Sequence, residues 1–239
     1  MRYKFVWGLD LAESEDFTAL SLLKIVPHPV RTPVLMTSGQ LLTQETNRMR
    51  TEYQVVSLER FNSRLPGVLE KFGAPTDDYW TRVIEFLVAR IGHPTVRLEC
   101  CLAVDATGIG RRVLEMLLRS PALRQTGVML WPFQIRARET KRFQRQDGLI
   151  QVSRADLLSG ARLLMGQGRL RIASSLTEAA TLKQELLVVR PDERRQEGDG
   201  PARSRAHDDL VLSVALAADL GETLANRAVG GILPIRWIG

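Results

Sequence analysis

The chain has 239 residues, of which 44% are hydrophobic, enough for one large domain or two small ones with an ordinary core. It contains no apolar run of roughly 18 residues and no secretion-signal layout, so we expect neither a membrane-spanning nor an exported protein. A formal net charge of +6 favours an anionic partner, of which nucleic acid is the natural candidate. Most of the basic residues are arginines, and a preference for arginine can equally reflect a GC-rich genome. The net charge alone therefore leaves both explanations open.

The chain opens with two apolar segments, residues 3–11 and 18–26, separated by an acidic turn. This pattern predicts an antiparallel hairpin whose first strand ends on Asp10. The prolines within 27–33 predict a break after the second strand. One or two further strands are expected within 34–61.

A helix is predicted over 76–91, because a polar start and Gly92 bracket apolar residues at helical spacing. The run RLECCLAVDATG that follows is almost continuously apolar and ends in Asp105, which is typical of a central strand covered on both faces. Its adjacent cysteines, Cys100 and Cys101, have no partners at zinc spacing and are interpreted as core residues in a reducing compartment. Two glycines after Asp105 predict a turn, and a further helix is expected to follow it.

A strand is predicted over 128–135, and a basic segment follows it. Asp147 and Gly148 are a strong turn pattern, so we expect a basic hairpin over about 135–152. Arginine and lysine alternate there with an aromatic side chain, which suits contact with a DNA backbone. The candidate DNA-binding residues are Arg136, Arg138, Lys141, Arg142 and Arg145.

Capping-box patterns at Ser153 and Ser175 predict the starts of two helices that run to about 166 and 189. Residues of about 191–205 are charged and rich in glycine and proline, and we expect a mobile loop there. A final apolar helix is predicted to begin at residue 207 or 208 and to end near 225. No linker divides the chain, so a single domain over 1–239 is expected.

Three acidic positions lie at the ends of elements that one fold can bring together: Asp10, Asp105 and the pair Asp208–Asp209. Crowded carboxylates repel each other and stay ionised when cations neutralise them. Oxygen ligands without cysteine or histidine favour Mg²⁺ or Mn²⁺. Two such ions about 3.5–4 Å apart can activate a water and stabilise the leaving oxygen in phosphodiester hydrolysis.

Five sequence blocks resemble, in order and spacing, the nuclease domain of the large terminase subunit of tailed bacteriophages. They are GLDLAESEDFTAL, LAVDATGIGRRVLEML, VSRADLLSGARLLMGQGRLRI, LKQELL and AHDDLVLSVALA. The resemblance implies an α/β fold with an RNase H-like mixed central sheet flanked by helices. It also implies metal-dependent endonuclease cleavage of concatemeric viral DNA during genome packaging. By matching motifs, Asp10, Asp105 and Asp209 would be catalytic ligands of two Mg²⁺ or Mn²⁺ ions, with Asp208 assisting.

The same resemblance implies double-stranded DNA as substrate, and a packaging ATPase, portal or small terminase subunit as partner, in the host cytoplasm. The sequence departs from a full-length large terminase because it has no GxxxxGK[ST] loop. ATPase motor activity is therefore not expected from this chain.

Two other functions fit parts of the pattern. A DNA-binding assembly module could retain these acids as vestiges, and its binding would be salt-sensitive without metal-dependent cutting. An actin-like nucleotide-binding protein also uses a strand-turn-strand Asp motif, but its two lobes need a longer chain. For each acid the simpler alternative is a strand-end or helix-capping role. Glu13, Asp16 and His207 are interpreted as turn and helix-start residues that could also line the site.

Overall fold

The computed structural model describes residues 3–11, 17–35, 41–62, 77–93, 99–108, 110–136, 145–146, 148–189 and 208–226. Within these residues an eight-stranded mixed sheet has the order β6-β7-β5-β4-β1-β2-β3-β8. The strands are β1 (Phe5–Asp10), β2 (Phe17–Leu35), β3 (Leu41–Asn62), β4 (Cys100–Asp105), β5 (Met129–Arg136), β6 (Arg145–Gln146), β7 (Leu149–Ser153) and β8 (Leu170–Ile172). The helices are α1 (Asp77–Ile91), α2 (Gly110–Arg119), α3 (Pro121–Gln125), α4 (Arg154–Gly166), α5 (Ala179–Val188) and α6 (Asp209–Asn226).

Strand β1 lies at the centre of the sheet and joins its antiparallel and parallel parts. It pairs antiparallel with β2, which pairs antiparallel with β3. On its other side β1 pairs parallel with β4, and β4 pairs parallel with β5. An opening hairpin followed by parallel strands, with helices on both faces, is the RNase H-like α/β arrangement expected from the sequence.

The predicted break at the prolines is wrong, because β2 continues through all three of them to Leu35. Strand β1 pairs with β2 only as far as Lys24, so beyond that point β2 pairs with β3 alone among the described residues. A proline on such an edge costs no ladder hydrogen bond when its nitrogen faces away from the partner. The prolines therefore lie on an edge instead of ending the strand.

Helices cover the two faces of the sheet and create two apolar cores. On one face Val6, Ala19, Cys101 and Phe133 pack with α4, α5 and α6. On the other face Trp7 and the alternate residues of the neighbouring strands pack with α1, α2 and α3. Burial on both faces explains why β1 and β4 have no polar alternation before their final aspartates. The two cysteines are buried and unbridged, as expected.

Helix α6 lies close against β1 and β2, and two contacts fix its position. Gly8 has no side chain where a Cβ would lie 1.9 Å from the Ser213 carbonyl oxygen of α6. Towards the other end of α6, Tyr53 donates its hydroxyl to Glu222 over 2.6 Å, and its ring fills the space beside Gly221. These contacts hold the first turn of α6 at the end of the sheet where β1 and β4 finish.

The remaining predicted elements agree with the structure except at one helix start. Ser153 caps α4 by accepting the Asp156 N–H over 3.0 Å, as its sequence pattern predicts. The pattern at Ser175 does not start α5, which begins at Ala179 without a side-chain cap. The short elements α3 and β8 have no counterpart in the sequence analysis. None of the helices in the described part of the chain has both the length and the apolar character needed to cross a membrane.

Candidate metal centre

Asp10 and Asp105 end two adjacent parallel strands at the same level. The pairing of β1 with β4 runs in constant register from Phe5 opposite Cys100 to Leu9 opposite Val104, and the two aspartates follow next. Parallel strands lie about 4.8 Å apart, and side chains at matched positions point to the same face. The backbone therefore brings these two carboxylates together, as the sequence predicts.

The face to which both aspartates point is the one covered by α6. Side chains alternate between faces along a strand, so Asp10 shares the face of Gly8, which touches Ser213 of α6. Asp105 likewise shares the face of Ala103, which packs in the core with α6. Asp10 is 7% exposed, whereas Asp105 is half-buried and accepts the Thr107 N–H over 2.8 Å.

Asp209 joins this face from the first turn of α6. Asp209 is 6% exposed, and its Oδ2 accepts the backbone N–H of Phe17 over 3.3 Å. Phe17 begins β2 two residues before Ala19, the partner of Asp10. The third predicted ligand therefore lies beside the end of β1, where the positive end of the helix dipole favours its negative charge.

Asp208, the neighbour of Asp209, has a different environment. Its Oδ2 accepts from Arg154 Nε over 3.1 Å and also from an Arg154 Nη. Its backbone carbonyl accepts the Leu212 N–H, which makes it the N-cap residue of α6. Asp208 is thus held by an arginine, while Asp209 lies on the face with Asp10 and Asp105.

Glu185 of α5 is a third buried carboxylate at this end of the sheet, beside Asp10 and Asp209. It is 5% exposed, and its Oε2 accepts the Val211 N–H in the first turn of α6 over 3.1 Å. Burial is the largest cause that raises the pKa of Glu185, to about 7. The Asp209 and Asp208 charges raise it further, while the Val211 N–H and Arg60 lower it.

Arg60 of β3 belongs to the same transverse row of the sheet as the two strand-end aspartates. Arg60 pairs with Ala19, and Ala19 pairs with Asp10. The guanidinium lies 3.9 Å from Glu185 Oε1 and stacks over the Phe17 ring at 4.0 Å. Arg60 thereby supplies a positive charge beside a group of acids.

The donor set is suited to a hard divalent cation. Asp10, Asp105 and Asp209 offer only oxygen atoms, and the charges of Asp209 and Asp208 disfavour ionisation of nearby Glu185. A bound cation would offset this repulsion. Within the described ranges, no three His, Cys, Asp or Glu side chains already have the spacing of a formed metal site. The backbone thus brings the acids to one place without setting their carboxylates in a ligand geometry.

The predicted basic hairpin is only partly described. Arg136 is exposed at the end of β5, and its guanidinium donates to Gln134. Arg145 lies in β6, which pairs antiparallel with β7 beside Gly148, whose φ is +78°. The other candidates, Arg138, Lys141 and Arg142, lie outside the described residues, as do Glu13, Asp16, His207 and the segment 191–205.

Arg60, Arg154 and Glu185 are additional residues beside the acids that the sequence patterns did not predict. Glu185 lies within the block LKQELL, where a charged residue surrounded by leucines on a helix could have indicated a buried carboxylate. Arg154 directly follows β7, at the strand end where the acids of β1 and β4 also lie. Nothing in the local sequence distinguishes Arg60 from the other arginines, because its place depends on its pairing with β2.

No protein-family model matches the chain, and a comparison with curated proteins finds no significant match. Among solved structures, the chain resembles the magnesium-bound large terminase nuclease of the thermophilic phage G20c, with a TM-score of 0.47 and 19% identity. That match covers 90% of this chain and 80% of the other. It also resembles the manganese-soaked terminase nuclease domain of human cytomegalovirus, with a TM-score of 0.46 and 12% identity over 92% and 89% of the two chains.

Both of these solved structures are terminase nucleases. Their identities and TM-scores are low. The assignment of roles to Asp10, Asp105 and Asp209 therefore depends on the geometry of this chain.

Proposed function

We propose that this chain is a metal-dependent endonuclease that hydrolyses phosphodiester bonds in double-stranded, concatemeric viral DNA during genome packaging. The observation that supports this function best is the convergence of three acids. Asp10 and Asp105 end adjacent strands at matched register, and Asp209 is tied to the start of β2 on the same face. Three elements distant in sequence thus contribute one carboxylate each to one end of the sheet.

In this proposal Asp10, Asp105 and Asp209 hold two Mg²⁺ or Mn²⁺ ions. When bound, such ions supply activation of a water molecule and stabilisation of the leaving oxygen. The burial of Asp10 and Asp209 keeps competing water away and strengthens their attraction for cations. Asp208 assists indirectly, because its pairing with Arg154 fixes the start of α6.

DNA would approach the exposed end of the sheet where these acids lie. Arg136 ends β5 next to β4 and would contact a phosphate there, together with Arg138, Lys141, Arg142 and Arg145 of the basic hairpin. Such contacts neutralise backbone charge and carry no sequence preference. A packaging ATPase, portal or small terminase subunit in the host cytoplasm would then determine where and when the nuclease cuts.

Cleavage of supercoiled plasmid DNA tests this function. The wild-type protein should nick and linearise plasmid with Mn²⁺ or Mg²⁺, and EDTA should stop the reaction. Asp105→Ala should cleave plasmid at least about a hundredfold more slowly than wild type, since metal ligands support the reaction directly. Glu115→Ala is a matched control, because Glu115 is an exposed acid of α2. Full activity of Asp105→Ala would overturn the proposal.

A DNA-binding module with vestigial acids is the second candidate. The net charge of +6 and the exposed Arg136 at the end of β5 favour it. It predicts salt-sensitive DNA binding with no cleavage at any Mn²⁺ concentration. The plasmid assay and a binding titration on the same preparation therefore separate the two functions.

A further inference from the structure

Glu185 meets the first turn of α6 from a neighbouring helix. The first N–H groups of an α-helix have no partner within the helix and need acceptors from outside. Usually the N-cap side chain supplies one, but the N-cap residue here, Asp208, directs its carboxylate to Arg154. The Val211 N–H is instead accepted by Glu185 Oε2 over 3.1 Å.

We infer that Glu185 is a positioning residue, which caps α6 from α5 and thereby holds Asp209 where it can bind metal. This role rests on the proposed function, since Asp209 needs a fixed position only if it is a ligand. Asp209 lies two residues before Val211 in the same turn, so any loosening of that turn moves both.

Arg60 supports Glu185 from the sheet. Its guanidinium lies 3.9 Å from Glu185 Oε1 and 4.0 Å from Glu178 Oε2, and it stacks on Phe17 at 4.0 Å. Phe17 in turn donates its N–H to Asp209. Arg60 and Glu185 therefore fix the position of Asp209 from two sides, Arg60 through β2 and Glu185 through α6.

Partners that orient a ligand are known to change metal affinity by about 10- to 100-fold when they are removed. Glu185→Leu keeps a side chain of similar size in this buried place but removes the acceptor. Glu185→Gln retains an oxygen that can accept the Val211 N–H. Gln184→Ala is the matched control, because Gln184 is exposed on the same helix.

Two measurements on the full chain test the inference. Hydrogen exchange of the metal-free protein measures the exchange rate of the Val211 amide. Calorimetric titration with Mn²⁺, without DNA, measures the affinity for the metal ion. We expect Glu185→Leu to speed Val211 exchange and to weaken Mn²⁺ binding by about tenfold. Glu185→Gln should exchange no faster and bind Mn²⁺ no more weakly than wild type, and Gln184→Ala should match wild type. Rescue by glutamine separates capping from a direct effect of the Glu185 charge.

Wild-type Val211 exchange and Mn²⁺ affinity in Glu185→Leu would overturn the role, and so would a Glu185→Gln protein as weak as Glu185→Leu. If Glu185→Leu does not fold, Glu185→Gln decides. Wild-type values for both measurements then support the role, and loss of either contradicts it. A wild-type protein that binds no Mn²⁺ would contradict the proposed function, while exchange without metal would still decide whether Glu185 caps α6.

Discussion

Phe17 donates its backbone N–H to Asp209 Oδ2 over 3.3 Å, across 192 positions of sequence. This hydrogen bond joins the first residue of β2 to the first turn of α6. Because β2 pairs with β1, it ties the late acid to the strand that carries Asp10. It therefore holds the Asp209 carboxylate beside the end of β1.

The two neighbouring acids of α6 should respond differently to removal of charge. Asp209→Asn should abolish Mn²⁺ binding and DNA cleavage, because it removes a proposed ligand. Asp208→Asn should retain most Mn²⁺ affinity and instead lower the free energy of unfolding by about 1 kcal/mol, since its partner is Arg154. Calorimetric titration and urea denaturation of both variants make the comparison. Equal losses of Mn²⁺ affinity would show that Asp208 is itself a ligand.

Gly8→Ala should strongly destabilise the protein. The new Cβ would lie 1.9 Å from the Ser213 carbonyl oxygen, and backbone cannot move away without shifting α6. Overpacking of this kind costs about 1–3 kcal/mol or more, which urea denaturation would measure. Gly160→Ala is the control, because nothing lies within 4 Å of a Cβ there and alanine favours the helix by up to about 1 kcal/mol. A Gly8→Ala protein as stable as wild type would mean that α6 does not approach β1 so closely.

The stability of the metal-free protein should depend on pH through Glu185. Its pKa is raised from 4.5 to about 7, so the protonated carboxyl suits the buried site better than the ionised one. The stabilisation that protonation gives is complete below pH 4.5 and is lost as pH rises through about 7. Glu185→Gln should therefore match wild type near pH 4 and exceed it at pH 8, by up to about 3 kcal/mol. Parallel denaturation curves at both pH values check this, and an equal difference at both would contradict it.

The adjacent cysteines should be inert in the folded protein. Burial raises the pKa of Cys100 to about 12 and that of Cys101 well above its usual value. The reactive thiolate is therefore scarce at pH 8. A disulfide reagent such as Ellman's should react with neither thiol at pH 8 and with both after unfolding in guanidinium. Rapid reaction of the native protein would place β4 near solvent instead of in the core.

Arg136→Ala should weaken DNA binding at the exposed end of β5. Loss of one phosphate contact reduces the slope of log affinity against log salt by about 1, whatever the DNA sequence. Fluorescence anisotropy at several salt concentrations measures that slope. Lys24→Ala is the control, because Lys24 is an exposed cation near the other end of the β1–β2 pair, opposite Phe5. Equal slopes for Arg136→Ala and wild type would show that Arg136 does not contact a DNA phosphate.

Local sequence was sufficient for most elements of the fold, since periodicity and caps are properties of short segments. It placed β1, β4 and α6 and the acids at their ends. It failed at the prolines of β2 and at the start of α5. Whether a proline breaks a strand depends on which edge is paired, and a capping pattern starts a helix only where tertiary contacts continue it.

By itself, the sequence determined that Asp10 and Asp105 end apolar strands and that the pair Asp208–Asp209 begins an apolar helix. Only the tertiary structure decided that Asp208 pairs with Arg154 and that Glu185 caps α6. It also decided that Arg60 shares a row with Asp10. These partners come from separate elements, so their meeting depends on strand register and helix packing, which no short segment encodes.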